Sequence, residues 1–280
     1  MIGETVVVAT STDPASINIA ESLLSLAPWK GDGGSVHRFE DYSLIVFDEK
    51  LIRLENLEAY LGRIGLTPDL IVFASRHQAK DGLPRLCGHF SGNCGEAVMG
   101  GRDRELSVAA PSALKSFILG LTEDQLEGFD ITIEATHHGP TDLSTPSFFA
   151  EIGSSQEEWI DPEAGRAVAR SILDLRDQSF PAFVGFGGGH YVTRQNRLMV
   201  ETGISFGHLF SKYQAEGLDA GIVEEAARKS RAVAAYLDRK SLRSAERMKI
   251  LGALEEIGLP AMREGEIREI YPPQDAAAPV

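Results

Sequence analysis

Long apolar runs are missing from this 280-residue chain. Nowhere do about eighteen apolar residues follow one another, so no membrane-spanning helix is expected. The opening Met1-Ile2-Gly3-Glu4-Thr5 lacks the basic start and long apolar stretch of a secretory signal, and the expectation is a soluble, cytoplasmic protein. Cysteine is scarce: Cys87 and Cys94 alone exclude a disulfide framework and four-cysteine zinc, leaving one facultative thiol pair. Positive charge is in deficit, with 27 Lys+Arg against 41 Asp+Glu and a formal charge of −14. Unspecific binding to phosphate backbones needs a positive surface, so neither DNA nor a membrane is an expected partner. Also absent are the Gly-x-Ser-x-Gly elbow of serine hydrolases, the dinucleotide and P-loop glycine signatures, His-Glu-x-x-His, paired Cys-x-x-Cys and an EF-hand loop.

What is present is an ordinary globular composition, 43% hydrophobic and 24% charged, enough for one large domain or two small ones. Thr5-Val-Val-Val-Ala9 reads as a buried strand, and Ser11-Thr12-Asp13-Pro14 supplies a cap and a first-turn proline for a helix to about Ala27. Ser43 to Phe47 and Leu70 to Ala74 are continuous apolar strands, with a helix from Leu57 to Ile64 between them that Gly65 ends. Pro111 opens another helix, Asp130 to Thr136 reads as a strand, and Asp161-Pro162 repeats the cap-plus-proline signal before a helix over 163–175. Pro181 to Phe186 is a further buried strand. Strands alternating with amphipathic helices predict an α/β fold with a largely parallel sheet, whose ligands gather at strand C-termini.

The expected organisation is an α/β catalytic core over 1–220, a helical C-terminal segment over 221–271, and a frayed tail over 272–280. The segment is read as helical because Val223, Ala227, Ala234, Leu237, Met248, Leu251 and Leu254 recur at roughly helical spacing before Gly258-Leu259-Pro260. Residues 226–250 carry eight basic residues against two acidic ones, a positive patch on an acidic chain.

Six of the seven histidines fall between residues 77 and 208, and His77, His89, His137, His138 and His190 lie at or near predicted strand ends. Alternation along 131–138 puts Glu134, Thr136 and His138 on one side of a strand. That carboxylate and imidazole either ligate a divalent metal or let Glu134 orient a histidine; otherwise they finish a turn. His77 or His89 can complete a metal site. Gly187-Gly188-Gly189-His190 follows a buried strand, and its amides can form a nest for a phosphate or oxyanion with Arg194 close behind, or serve as a plain turn. His208, flanked by Phe206 and Phe210, is either packed in the core or in contact with substrate.

Five motifs in order carry a resemblance: Ser75-Arg76-His77, His89 through Gly92-Asn93, Glu134 through His137-His138-Gly139-Pro140, Gly185 through His190-Tyr191, and Gly207-His208 through Lys212-Tyr213. Together they resemble the archaeal and plant type of D-aminoacyl-tRNA deacylase. The resemblance implies hydrolysis of the ester joining a D-amino acid to the 3′ end of tRNA, in proofreading, by a zinc enzyme with one or two ions. It implies a three-layer α/β/α sandwich, phosphorylase- or hydrolase-like, with a mostly parallel mixed sheet. On that reading Glu134, His138 and His190 are catalytic; His77, His89, His137 and His138 hold metal; and Gly187, Gly188, Gly189, Arg194 and His208 bind substrate. The basic 226–250 region assists in gripping a single-stranded tRNA end, and a pocket shaped for the D side chain either excludes L-amino acids or holds their ester carbonyl away from the water. A monomer is expected. Two other readings are a zinc carboxypeptidase- or amidase-like hydrolase, and a non-catalytic tRNA-binding module with structural histidines.

Overall fold

The computed structural model describes residues 3–31 and 35–273, and the expected tail lies, from residue 274 on, outside the described residues. In chain order the elements are β1 (Thr5–Thr10), α1 (Pro14–Leu26), β2 (Lys30–Gly31), β3 (Val36–Phe39), β4 (Tyr42–Phe47), α2 (Leu57–Arg63), β5 (Leu70–Arg76) and β6 (Arg85–His89). There follow α3 (Pro111–Asp124), β7 (Asp130–Ile133), β8 (Ser147–Gly153), α4 (Gln156–Trp159), α5 (Pro162–Leu173), β9 (Ala182–Phe186), α6 (Thr193–Glu201) and β10 (Ser205–Phe210). The chain closes with α7 (Ala220–Lys229), β11 (Ala234–Leu237), α8 (Ser244–Glu256), β12 (Ala261–Met262) and α9 (Glu264–Ile270).

The fold is the expected α/β sandwich with a mostly parallel sheet and helices on both sides. The main sheet runs β2-β3-β4-β1-β5-β8-β6-β7. Its centre, β4-β1-β5-β8, is parallel, and β6 enters antiparallel to β8. One face packs on α1, α3 and α5 through Val7, Val72, Ala74, Phe148, Ala150 and Ile152. The other packs on α2 through Val6, Val8, Phe73 and Phe149. Strand alternation sends neighbouring residues to the two cores, which is why these strands read as unbroken apolar runs. Where the sequence predicts caps, caps form: the Asp13 carboxylate accepts from Ala15 N at 2.9 Å with Pro14 in the first turn, and Asp161 accepts from Glu163 N at 2.8 Å. Among the described residues no helix is long and apolar enough to cross a membrane.

The segment 221–271 departs from the expected helical appendage. Its β11 pairs in parallel with β9, and β12 with β11, in a second sheet ordered β10-β9-β11-β12. Four consecutive buried residues, Ala234 to Leu237, form that strand. A fully buried strand this short has the same apolar spacing as one helical turn, so periodicity misassigned it.

The α3 helix lies between the two sheets, and Lys115 ties it to the second. Its buried Nζ donates to Thr202 O at 2.5 Å and Ile204 O at 2.7 Å, just ahead of β10, and lies 4.1 Å from the centre of the Phe180 ring. Burial pulls its ammonium down to about 8. A neutral amine still has an N–H for each carbonyl, so the contacts survive deprotonation. The unfolded chain holds this proton up to about pH 10.4, and therefore binds more protons than the folded chain between those values. Stability from this group thus rises with pH across that window. Chemical denaturation of the protein and of Lys115→Met at pH 7.5 and 10 should show the gap moving in favour of lysine by about 2 kcal/mol; a gap independent of pH refutes the assignment.

Candidate active site

The site is built on one face of the main sheet. Alternation along β5 puts Phe73 and Ser75 on that face, and His77 follows just past the strand end. In β8 the same face carries Phe149 and Glu151. Register sets Ser75 beside Glu151 and Phe73 beside Phe149. From the antiparallel strand β6, Cys87 comes opposite Glu151 and His89 opposite Phe149, where the two rings stack at 5.0 Å. Strand β7 ends at Ile133, alongside Gly88, and the chain leaves the sheet as the loop 134–140. Gly88 leaves no room for a side chain, because a Cβ there would lie 2.6 Å from Leu114 and 2.9 Å from the Phe149 carbonyl.

Three imidazoles converge. His89 Nδ1 donates to its neighbour's carbonyl, Phe90 O, at 3.1 Å; His137 Nδ1 to Ala135 O at 2.8 Å; and His138 Nδ1 to Gly139 O at 2.7 Å. Each bond fixes the tautomer whose Nε2 carries a lone pair. One ring nitrogen from each histidine lies within 4.8 Å of the others. His89 Nε2 is buried without a hydrogen-bond partner, 3.6 Å from Glu151 Oε1. Burial, reinforced by charge on His89 and His138, pushes His137 well below its ordinary value, and burial takes His138 down to about 4. For His89 burial also works downward, but the Glu151 carboxylate outweighs it and the net shift is upward. Two imidazoles held toward the neutral form, a third whose buried Nε2 is unsatisfied, and the Glu151 carboxylate beside it fit a divalent cation of the zinc type, which would take the place of a proton on His89.

Beside them sits a buried carboxylate. Glu134 is 1% exposed. Its Oε2 accepts from His190 Nε2 at 2.7 Å, and His77 Nδ1 lies 3.0 Å from its Oε1. Burial alone would raise its pKa, but His190 and His77 hold the carboxyl well below the usual range. His77 is itself shifted upward: burial opposes the charge, while Glu134 and Glu151 outweigh it. His77 Nε2 meets the Tyr191 hydroxyl at 3.0 Å, and Ser75 Oγ donates to Glu151 Oε1 at 2.5 Å. His190 is half-exposed and its ring centre is 4.9 Å from that of His137. A cavity of about 410 Å³ opens here, lined by Ser75, His77, His137, His138, Glu151 and His190. A larger hollow of about 710 Å³ lies at the opposite strand ends, around Leu70, Pro146 and Ala182, and no histidine lines it.

The structure thus brings together Glu134, His77, His89, His137, His138 and His190, from elements far apart in sequence. His77 groups with Cys87, Glu134 and Glu151 rather than with the three convergent histidines. Other expectations are corrected. Gly187 and Gly188 adopt φ of 92° and 87°, but their amides are already spent, on Phe210 O at 2.7 Å and Ser241 Oγ at 2.6 Å. These glycines shape the turn that presents His190, since a Cβ on Gly187 would lie 2.6 Å from Ser241 Oγ. Neither they nor Gly189 line the cavity. Arg194 faces Asp238 at 3.5 Å, and it too is absent from the cavity wall. His208 is fully buried, with Nε2 on Ser107 O at 2.9 Å and Nδ1 on Thr136 Oγ1 at 3.1 Å, and burial lowers it to about 4. It is a core histidine with both nitrogens satisfied. Because β7 stops at Ile133, strand alternation does not govern 134–138, and Thr136 turns to His208 while Glu134 turns to His190. Both cysteines are free thiols. Glu151 was missed in the sequence; its signal is a lone carboxylate inside the apolar run Phe148 to Ile152.

The D-aminoacyl-tRNA deacylase family model matches residues 64–262. The chain is 45% identical over 273 residues to the D-aminoacyl-tRNA deacylase of Methanothrix thermoacetophila, covering 96% of this chain and 100% of that one. It is 43% identical over 279 residues to that of Methanosarcina mazei, covering 95% and 94%. With that of Thermococcus kodakarensis the identity is 37% over 271 residues, covering 92% and 99%. A crystal structure of a conserved protein of unknown function superposes with a TM-score of 0.91 at 34% identity, over 97% of this chain and 99% of that one. With sequence likeness of this extent spanning both sheets and every histidine of the site, the chain belongs to the D-aminoacyl-tRNA deacylase family.

Proposed function

We propose that this chain hydrolyses the ester between a D-amino acid and the 3′ end of tRNA, releasing free D-amino acid and tRNA in the cytoplasm, with zinc as cofactor. The observation that carries the reading is the full-length kinship to D-aminoacyl-tRNA deacylases together with three histidine ring nitrogens grouped beside a His–Glu pair. Neither the peptidase-like nor the binding-module reading is favoured by any feature of the site.

His89, His137 and His138 would hold the ion, and zinc so held would supply a Lewis acid for the ester carbonyl and its developing oxyanion. His190 acts as general base. With Nε2–H committed to Glu134, its Nδ1 carries the lone pair and takes a proton from the attacking water. As the acyl carbon–oxygen bond breaks, the same proton passes to the leaving ribose oxygen, which returns the imidazole to neutrality. Glu134 stays ionised throughout, fixes the tautomer and stabilises the transient imidazolium. His77, between Glu134 and Tyr191, keeps that carboxylate in place. The amides of Gly187 and Gly188 take no part in binding the oxyanion, being already bonded.

Purified protein should release amino acid from D-aminoacyl-tRNA and far more slowly from the matched L-aminoacyl-tRNA. Chelation should abolish release and zinc restore it. D-selective turnover indifferent to chelation would remove zinc from the mechanism, and no turnover of either substrate would remove the activity. Elemental analysis of His89→Ala should show zinc lost, because a direct ligand contributes more than the roughly ten- to hundredfold in affinity carried by outer-shell partners. Glu134→Gln and His190→Gln should each retain zinc and lower kcat by about 10²- to 10⁴-fold, with the double variant little worse than either. Fully additive losses would show that the two residues do not act as a pair.

A further inference from the structure

The cavity continues past the histidines to the ends of the neighbouring strands. At and beyond the ends of β4, β1 and β5 its lining includes Lys50, Thr12, Asp13 and Arg76. Lys50 and Arg76 are exposed, and among the described residues neither forms an ion pair. Arg76 is held instead by stacking, its guanidinium carbon 4.8 Å from the centre of the Trp159 ring. Trp159 is in turn fixed by its indole N–H, which donates to His77 O at 2.8 Å. The loop bearing Lys50 is tied to β1, where Thr10 Oγ1 donates to Glu49 O at 2.7 Å.

The Asp13 carboxylate on this wall feels the Arg76 charge without forming an ion pair with it, and its oxygens are taken up by backbone amides. Asp13 Oδ1 accepts from the amides of Ala15 and Ser16, and Oδ2 accepts from the Arg76 amide at 2.9 Å. The lining carboxylates are engaged elsewhere, Asp13 by backbone amides and Glu151 by Ser75 beside His89, so on a chain with fourteen more negative than positive charges two exposed cations without an ion pair on this cavity suit an anionic ligand. A cavity of about 410 Å³ takes up a small ligand, not a folded RNA. An aminoacyl group with one nucleoside fits that description, and the first phosphate then lies at the mouth. Two strand spacings, roughly 10 Å, separate β5 from β6, a span that one nucleotide and the Arg76 side chain bridge, and Lys50, past the end of β4 two strands farther out, reaches the same phosphate from its other side.

We infer that Lys50 and Arg76 grip the 3′-terminal phosphodiester of the substrate, the phosphate on the 5′ side of the terminal adenosine. The inference rests on the deacylase reading and adds to it where the nucleic acid enters. The two residues are binding residues, remote from the reacting atoms, and they determine which end of the terminal nucleotide faces the histidines.

The test uses equilibrium binding, so that it stands apart from turnover. Two non-hydrolysable ligands carry a D-amino acid by an amide on 3′-amino-3′-deoxyadenosine, one with a 5′-phosphate and one without. Calorimetry on the zinc-loaded protein should show the phosphate tightening binding on the order of tenfold. Lys50→Gln and Arg76→Gln should each reduce that gain, and the double variant should erase it, while affinity for the phosphate-free ligand stays unchanged. Arg76→Lys and Lys50→Arg should restore most of it, which a role in folding alone would not predict. The salt dependence of phosphate-ligand binding should flatten in the double variant. A phosphate that adds no affinity, or a gain that survives both substitutions, overturns the inference. Failure of the deacylase reading would appear separately, as intact ester in the release assay.

Discussion

An ionised carboxylate removed from water is costly unless hydrogen-bond donors surround it, and the whole site is arranged around one such group, Glu134. His190 and His77 meet its two oxygens from different parts of the chain, at 2.7 Å and 3.0 Å. His77 comes from the end of β5 and His190 from the turn after β9, so the carboxylate holds the main sheet to the second one. Its charge also decides the state of its neighbours. Beneath it the Cys87 thiol is pushed well above its ordinary value by burial and by the Glu134 and Glu151 carboxylates, so it stays a protonated thiol rather than a nucleophile. His77 is pushed upward by the same two carboxylates, whereas His137 and His138, shielded from water and close to other imidazoles, are pushed down. The carboxylates thus favour the charged form of His77 and His89, while burial and neighbouring imidazoles favour the neutral form of His137 and His138.

The antiparallel entry of β6 makes this possible. In a wholly parallel sheet, side chains that meet across strands lie at equivalent depths, and chemistry is confined to loops beyond the C-terminal edge. Here β6 runs back along β8, so His89, at its far end, reaches Phe149 in the body of the sheet, and Glu151 meets Cys87. The histidine cluster is consequently seated on a sheet face, under the loop 134–140, and walled by packed aromatic rings. That burial lowers the local dielectric and strengthens each charge interaction within it. The glycine turn after β9 contributes differently: its amides are committed to Phe210 and Ser241, which makes it a rigid mount for His190.

Much of this was legible in the sequence because local signals have local causes. Asp13-Pro14 and Asp161-Pro162 start helices through bonds made within three residues, and the apolar runs at β1, β4 and β5 form strands whose both faces are covered. The histidines could be picked out by type and by strand ends. Their division of labour could not, since the tautomers of His89, His137 and His138 depend on carbonyls whose positions only the folded loop defines. His208 looked like its neighbours in sequence and differs only because Ser107 and Thr136, about a hundred and about seventy residues away, occupy both its nitrogens. Glu151 was hidden by the opposite effect, a polar residue overlooked within an apolar run. The strand β11 was lost because four buried residues carry too little periodicity to separate strand from helix.

Net charge is the remaining puzzle, since an enzyme of tRNA is here an acidic protein, and its resolution is that charge acts locally. Within about 10 Å at moderate salt an unpaired cation is felt, and beyond that distance the surplus carboxylates are screened. Many of the acids are already matched: Asp81 with Arg85, Asp219 with Arg104, Glu201 and Glu264 with Arg268, Glu246 with Arg243. Arg228, Arg231, Arg239 and Lys240, in the basic stretch of the second sheet, are exposed without an ion pair among the described residues, as are Lys50 and Arg76 at the cavity. A polyanion approaching this surface meets its attraction only where the free cations are, and the overall negative field weakens binding elsewhere. Excess negative charge then disfavours unspecific adhesion of RNA without cancelling the attraction of the exposed cations, so an acidic net charge and an anionic substrate are physically compatible.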